Sequence, residues 1–187
     1  MPDDRELMAR VKEGEQTALE LLFARWEGRV FAFFYRLGGP PDRLGDLAEE
    51  VLVSVYRQRH RYDPNRAFAP WLYGIARLVW KDHLRRRRRE EPHCALLEFA
   101  RSSAREPGPA EVAEGREEVA VLRQAIEQLP GEQRIIFVLR HFEGLAYEEI
   151  AEALQVPLGT VKWRLHEAVR RLEIALVESK GGGIRTP

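Results

Sequence analysis

The stretch Leu129–Leu172, LPGEQRIIFVLRHFEGLAYEEIAEALQVPLGTVKWRLHEAVRRL, constrains this chain more than any other. Ile150, Leu154, Val156, Val161 and Leu165 are apolar at helical spacing, interrupted by Val156-Pro157-Leu158-Gly159. Pro157 and Gly159 mark the start of a second helix, and Ala151 sits where two helices would cross and only a small side chain fits. This punctuation predicts a helix-turn-helix, two short helices at a steep angle whose second member enters a DNA major groove. Thr160, Lys162, Trp163, Arg164 and His166 are expected on its outward face. Ala146 cannot cap the first helix, but Glu149 can still reach back to the backbone, which leaves half a capping box. The missing cap costs about 1 kcal/mol. A left-handed turn residue at Gln155 costs about 1–2 kcal/mol relative to glycine.

The helical period continues through the rest of the chain, and no alternating strand pattern appears. A short helix is expected from Asp3 to Glu13. A second carries Ala18, Leu21, Leu22, Trp26, Val30, Phe33, Phe34 and Leu37, and Gly38-Gly39-Pro40-Pro41 stops it. A third runs from about Pro41 to Tyr56. Tyr62-Asp63-Pro64-Asn65-Arg66 forms a loop, and a fourth helix runs from Phe68 to Arg89. From Glu90 to about Glu111 the periodicity fades among Pro92, Ser102, Ser103, Pro107, Gly108 and Pro109, as in a linker. Two stripes follow, Val119, Leu122, Ile126 and Leu129, then Ile135, Ile136, Leu139 and Phe142. The expected fold is all-α: two small helical domains, 1–90 and 114–178, joined by a linker at 91–113, with a tail at 179–187. The helix-turn-helix lies in the second.

Formal net charge is zero, but its distribution is uneven. Arg61–Arg89 holds nine Lys/Arg against two acids, while Glu91–Val121 holds seven acids against three arginines. Such asymmetry points to binding surfaces of opposite sign. In the fourth helix Trp71, Tyr73 and Trp80 alternate with Arg77, Lys81 and Arg85 to Arg89. Aromatic faces for bases and cations for phosphates are what single-stranded DNA requires. Consecutive arginines carry a self-repulsion that a polyanion relieves. The bland alternative makes Trp71 and Trp80 core residues and the arginine run a solvated helix end. The third helix is apolar on more than one face, with Leu47, Val51, Leu52, Val53, Val55 and Tyr56. It is either buried on two sides or has a surface left over for a partner.

The chain resembles a bacterial RNA polymerase sigma factor of the extracytoplasmic-function group. In the second half the resemblance rests on Leu129-Pro130, Arg134, Glu143-Gly144-Leu145, Tyr147 to Ala151, Pro157 to Lys162 and Arg164-Leu165. In the first half it rests on Ala18 to Leu22, Asp46-Leu47, Glu50-Val51, Tyr62-Asp63-Pro64 and Trp71 to Arg77 before the arginine run. Trp163 stands where the family usually has Ser, and Glu167-Ala168-Val169 replaces an Arg-Ala-Arg run. Leu78 stands where Asn is common.

The resemblance implies that the third helix, through Asp46, Leu47, Glu50, Val51, Leu52, Val53 and Tyr56, grips the clamp helices of the polymerase β′ subunit. It implies that Arg61, Asn65 and Arg66 in the loop, with Trp71, Arg77, Trp80, Lys81, Arg85, Arg86 and Arg88, hold the opened minus-ten element. One non-template base is then flipped into a loop pocket. Thr160, Lys162, Trp163, Arg164 and His166 would read the minus-thirty-five element. The β flap and an anti-sigma protein are the further implied partners. For the linker, a path along the RNA channel and a simple tether both stay open.

On the recognition helix, Lys162 and Arg164 suit phosphates or guanine edges, and His166 can donate to a base. Glu167 repels phosphate or accepts from cytosine. Trp163 either packs on a thymine methyl or sugar, or fills a core or domain interface.

No catalytic constellation, metal site or cofactor motif emerges: the five histidines are scattered, and Cys94 stands alone. No apolar run approaches the ~18 residues of a membrane span. The polar N-terminus is unlike a secretory signal. A cytoplasmic protein that is not an enzyme is therefore expected. Two rival functions remain open. One is a helix-turn-helix regulator with an N-terminal sensory or dimerisation domain. The other is an interaction module that reads no DNA.

Overall fold

A computed structural model describes residues 2–90 and 114–181. The expected linker, Cys94 and the end of the tail lie outside the described residues. Among those described, all regular structure is helical. The order is α1 (Asp4–Lys12), α2 (Gln16–Arg36), α3 (Leu44–Arg57), α4 (Phe68–Glu90), α5 (Glu114–Gln128), α6 (Gly131–His141), α7 (Tyr147–Leu154) and α8 (Leu158–Gly181). Single 3-10 turns, Pro41–Arg43 and Arg59–Arg61, lead into and out of α3.

Local chemistry sets these boundaries. Asp3 caps α1 and Glu6 returns the bond to the Asp3 N–H, a full capping box. α2 ends where Gly38 turns to φ +81° and Gly39 lies against Leu44. A Cβ at Gly39 would come within 2.7 Å of the Leu44 side chain and 3.0 Å of the Phe34 carbonyl oxygen, so the tight fold-back into α3 favours glycine. α8 continues through the start of the expected tail to Gly181.

The first four helices bury a core rich in aromatic rings. Trp26 meets Phe68 and Tyr73 edge-on at centroid distances of 5.4 and 6.1 Å, and Phe34 lies 6.0 Å from Trp80. Tyr62 belongs to the same core: its hydroxyl donates to the Arg66 carbonyl at 2.6 Å, which closes the loop before α4.

α3 packs between α2 and α4. Leu47, Val51 and Leu52 are therefore buried, Leu52 at 5% exposure. This corrects the reading of those three residues as part of an exposed apolar excess, because a helix between two neighbours needs two apolar faces. Among the expected partner-binding residues of α3, Asp46 and Tyr56 are exposed, and Glu50 and Val53 are half-buried. Tyr56 lies under the Arg59 guanidinium at 4.2 Å.

In the second half α6, α7 and α8 form the helix-turn-helix and its support around Ile135, Ile136, Leu139, Ile150, Leu154, Val161 and Leu165. The Ala146 N–H is held by Glu149 at 2.8 Å, the expected half box. Gln155 occupies the left-handed turn position at φ 52°, ψ 49°. The first half docks on the second through α4 against α7. At their contact, a Cβ on Gly74 would lie 3.0 Å from the Ala153 carbonyl oxygen.

Candidate nucleic-acid interface

α4 is amphipathic in an unusual sense: its aromatic residues turn inward and its cations divide into two groups. Trp80 is buried at 5% exposure and stacks on His83 at 5.4 Å. Trp71 is half-buried, 5.2 Å from Tyr62 and 5.9 Å from Phe68. Both rings serve the core in this conformation, so neither is a free stacking platform for bases. The core takes them because they fall on the helix face that carries Leu72, Ile75, Ala76 and Val79. Tyr73, also buried, donates its hydroxyl to Glu143.

The first group of α4 cations faces the second half. Arg77 and Lys81 meet Glu132, in the first turn of α6, at 3.2 and 2.7 Å. Arg164 of α8 reaches the other oxygen of the same carboxylate at 3.2 Å. One carboxylate thus gathers three cations, two from the helix expected at the minus-ten element and one from the recognition helix. Burial pushes the Glu132 carboxyl up. Lys81 and Arg77 outweigh it and hold the group below its usual range.

A second carboxylate repeats the pattern nearby. Glu143, whose side chain is 3% exposed, takes Tyr73 with Arg36 at 3.2 Å and Arg29 at 3.5 Å. Arg134 adds a bond to the Leu37 carbonyl at 2.6 Å, and Arg66 pairs with Glu152 at 2.5 Å. Neither Glu132 nor Glu143 was assigned this role from sequence. Glu143 stood in a quoted motif, but nothing local to either residue announces partners 32 to 114 positions away.

The second group of α4 cations is turned to solvent. Arg85, Arg86, Arg88 and Arg89 are exposed. Arg85 pairs with Asp82 at 3.2 Å and Arg86 with Glu50 at 3.3 Å, exposed pairs that are weak and easily exchanged for phosphates. Arg61 and Asn65 are exposed in the preceding loop. Asp63 accepts from the Asn65 backbone N–H at 2.9 Å, and this fixes the loop while leaving the Asn65 side chain outward.

On α8 the expected residues separate. Lys162, Trp163 and His166 are exposed, Thr160 is half-buried, and Arg164 is turned toward Glu132. Arg164 is therefore corrected from an outward reader to a clamp residue in this arrangement, because its flank of the helix faces the start of α6. Trp163 stands at 63% exposure, which settles against core or interface packing. Glu167 binds Arg170 at 2.7 Å and Arg171 at 3.0 Å. The Arg170 bond, then that of Arg171, draws its carboxyl down to about 2.

No group of three or more His, Cys, Asp or Glu could hold a metal, and no helix is long and apolar enough to cross a membrane, among the described residues.

Residues 22–90 match the family described as Sigma-70 region 2, and residues 120–172 match Sigma-70, region 4. The chain is 33% identical to the RNA polymerase sigma-H factor of Pseudomonas aeruginosa, over 92% of this chain and 93% of that protein. It is also 33% identical to the extracytoplasmic-function RNA polymerase sigma factor RpoE of Cereibacter sphaeroides, over 84% of this chain and 86% of that protein. Its fold is similar to that of the sigma factor RpoE solved in complex with the anti-sigma factor NepR from Bartonella quintana. The TM-score is 0.65 at 21% identity, covering 84% of this chain and 95% of that one.

Proposed function

This chain belongs to the extracytoplasmic-function group of RNA polymerase sigma factors, and from that premise we propose how it divides a promoter between its two cationic helices. It is a transcription initiation factor. The segment 1–90 binds core polymerase and holds the opened minus-ten element, and the segment 114–178 carries the helix that reads the minus-thirty-five element. The supporting observation is that two separate helices of one chain each carry exposed basic side chains: Arg85, Arg86, Arg88 and Arg89 toward the end of α4, and Lys162 with His166 near the start of α8.

The exposed arginines engage phosphates of the non-template strand, largely without regard to sequence. The Arg61 and Asn65 loop receives the flipped base. Asp46, Glu50, Val53 and Tyr56 meet the β′ clamp helices, and the buried Leu47, Val51 and Leu52 hold α3 in shape for that contact. The β flap is met by the second half. The chemistry of RNA synthesis is the polymerase's, and the chain works beside it in the cytoplasm without a cofactor. An anti-sigma protein is a fitting regulator, as for the RpoE protein solved with NepR.

The docked arrangement bears on this reading. Arg77 and Lys81 are engaged by Glu132, so they reach DNA only when α4 and α6 separate, while Arg164 must also leave the same carboxylate. Phosphate groups would then replace one carboxylate.

Run-off transcription with purified core polymerase tests the function. Addition of the chain is expected to give a discrete transcript from a promoter that core alone does not use. Specific binding of paired half-sites by the chain without polymerase, and no transcript, would favour the regulator instead.

A further inference from the structure

The outward stripe of α8 is formed by Gly159, Trp163, His166 and Arg170, spaced one helical turn apart. Trp163 is the most exposed aromatic residue described, at 63%. Among the described residues no ring stacks on it and no cation lies over it, although six other aromatic residues carry an arginine or lysine in that way. The turn before it presents Gly159, where an added Cβ would meet nothing within 4 Å. Helical side chains lean toward the N-terminus, so the indole has an unobstructed approach from the end of α8 that enters a groove.

The neighbouring charges are committed in different ways. Arg164 is held by Glu132, and Glu167 is saturated by Arg170 and Arg171. Lys162 and His166 flank the indole and can donate.

An indole offers an apolar face and one N–H donor, and no acceptor. In the major groove the one apolar group is the thymine C5-methyl, and thymine places its O4 acceptor beside it. Cytosine offers an N4–H₂ donor at that position, which faces an N–H with nothing to accept it. Resting on the promoter reading above, we infer that Trp163 is a specificity-determining residue that selects one thymine in the upstream element, through its methyl group with O4 as the hydrogen-bond partner.

The test uses the full chain bound to core polymerase. Holoenzymes containing the native chain and Trp163→Ala first select duplexes randomised across the upstream element. The native protein is expected to enrich one thymine that Trp163→Ala does not, with preferences elsewhere retained. At that position deoxyuridine, which lacks only the methyl, should weaken native binding about threefold to fivefold, the worth of one buried methyl-sized group. The same change should leave Trp163→Ala unmoved. 5-Methylcytosine, which keeps the methyl and loses O4, should recover less than thymine.

Equal enrichment by both proteins, or indifference of the native protein to deoxyuridine, would overturn the assignment. So would a loss of core-polymerase affinity in Trp163→Ala with unchanged base preference, which would make Trp163 a protein contact. If neither holoenzyme selected any upstream base, the promoter reading itself would fall. Trp163 is exposed, so the variant is expected to keep the native helical signal and melting temperature, and this is measured alongside.

Discussion

In α4 the aromatic residues turn inward and the cations split between a partly buried clamp and an exposed run; in α8 the aromatic residue turns outward with basic side chains around it. Trp80 and Trp163 make the contrast concrete, one 5% and the other 63% exposed. Both helices join tryptophan to arginine and lysine, and from composition both would suit nucleic acid. Their surroundings separate them. α4 lies between α3 and α7 and must bury two faces, so its rings become core. α8 rests on α5, α6 and α7 from one side and leaves its other side free. We therefore propose a charge-dominated role for α4 and the base-reading role for α8.

The largest effect expected of a single substitution that tests this contrast is at the docking contact. Gly74→Val places a side chain where even a Cβ comes within 3.0 Å of the Ala153 carbonyl, and backbone yields little. Overpacking of this kind costs on the order of 1–3 kcal/mol. The expected outcome is separation of α4 from α7, seen as a larger radius of gyration in solution scattering with helix content retained. An unchanged radius would mean that the two halves are not held through this contact.

Next in size is the arginine run. Changing Arg85 to Arg88 to alanine should lower the steepness of the salt dependence of single-stranded DNA binding by about three units, since each phosphate contact contributes about 0.7. Sequence preference should hardly change. A sharp change in base preference would move base reading onto α4 and erase the contrast.

Glu132→Gln probes the clamp that joins the two helices. Removal of one partly buried carboxylate from Arg77, Lys81 and Arg164 should reduce stability by about 1 kcal/mol and raise affinity for DNA a few-fold. The pH dependence follows from the lowered carboxyl. A group whose folded value lies below its unfolded value contributes fully above the unfolded value, and the contribution is lost as pH falls through the folded one. The difference in stability between native and Glu132→Gln proteins should thus be present at neutral pH and shrink on acidification below the usual carboxylate range. A constant difference would place the effect elsewhere.

The helix-turn-helix was legible because its signals are local. Ala146, Glu149, Gln155, Pro157 and Gly159 act within a few residues of where they stand, and each does what its chemistry predicts. The all-helical architecture was legible from periodicity for the same reason. Which face of α3 or α4 is core was not. Leu52 and Val53 are equally apolar as letters, and only the packing of α2 and α4 on α3 buries the first more than the second. Arg164 looked like its neighbour Lys162, yet the start of α6 takes it inward. Glu132 and Glu143 were invisible as clamps because all but one of their partners, Arg164, come from the other half of the chain.

The smallest effect belongs to Glu167. Its carboxylate already neutralises part of the charge on Arg170 and Arg171. Glu167→Gln should release both arginines and steepen the salt dependence of duplex binding by no more than about two units, with base preference intact. Lower affinity for the native promoter with higher affinity for others would instead make Glu167 a cytosine reader.

The division of labour between α4 and α8 is tested most directly by footprinting the holoenzyme on a promoter it has itself selected, with permanganate to report unpaired thymines. Alanines at Arg85 to Arg88 are expected to abolish permanganate reactivity in the minus-ten region while upstream protection persists. Lys162→Ala with Trp163→Ala is expected to remove upstream protection first. Loss of both signals together in each variant, or protection of paired half-sites without polymerase, would contradict this division.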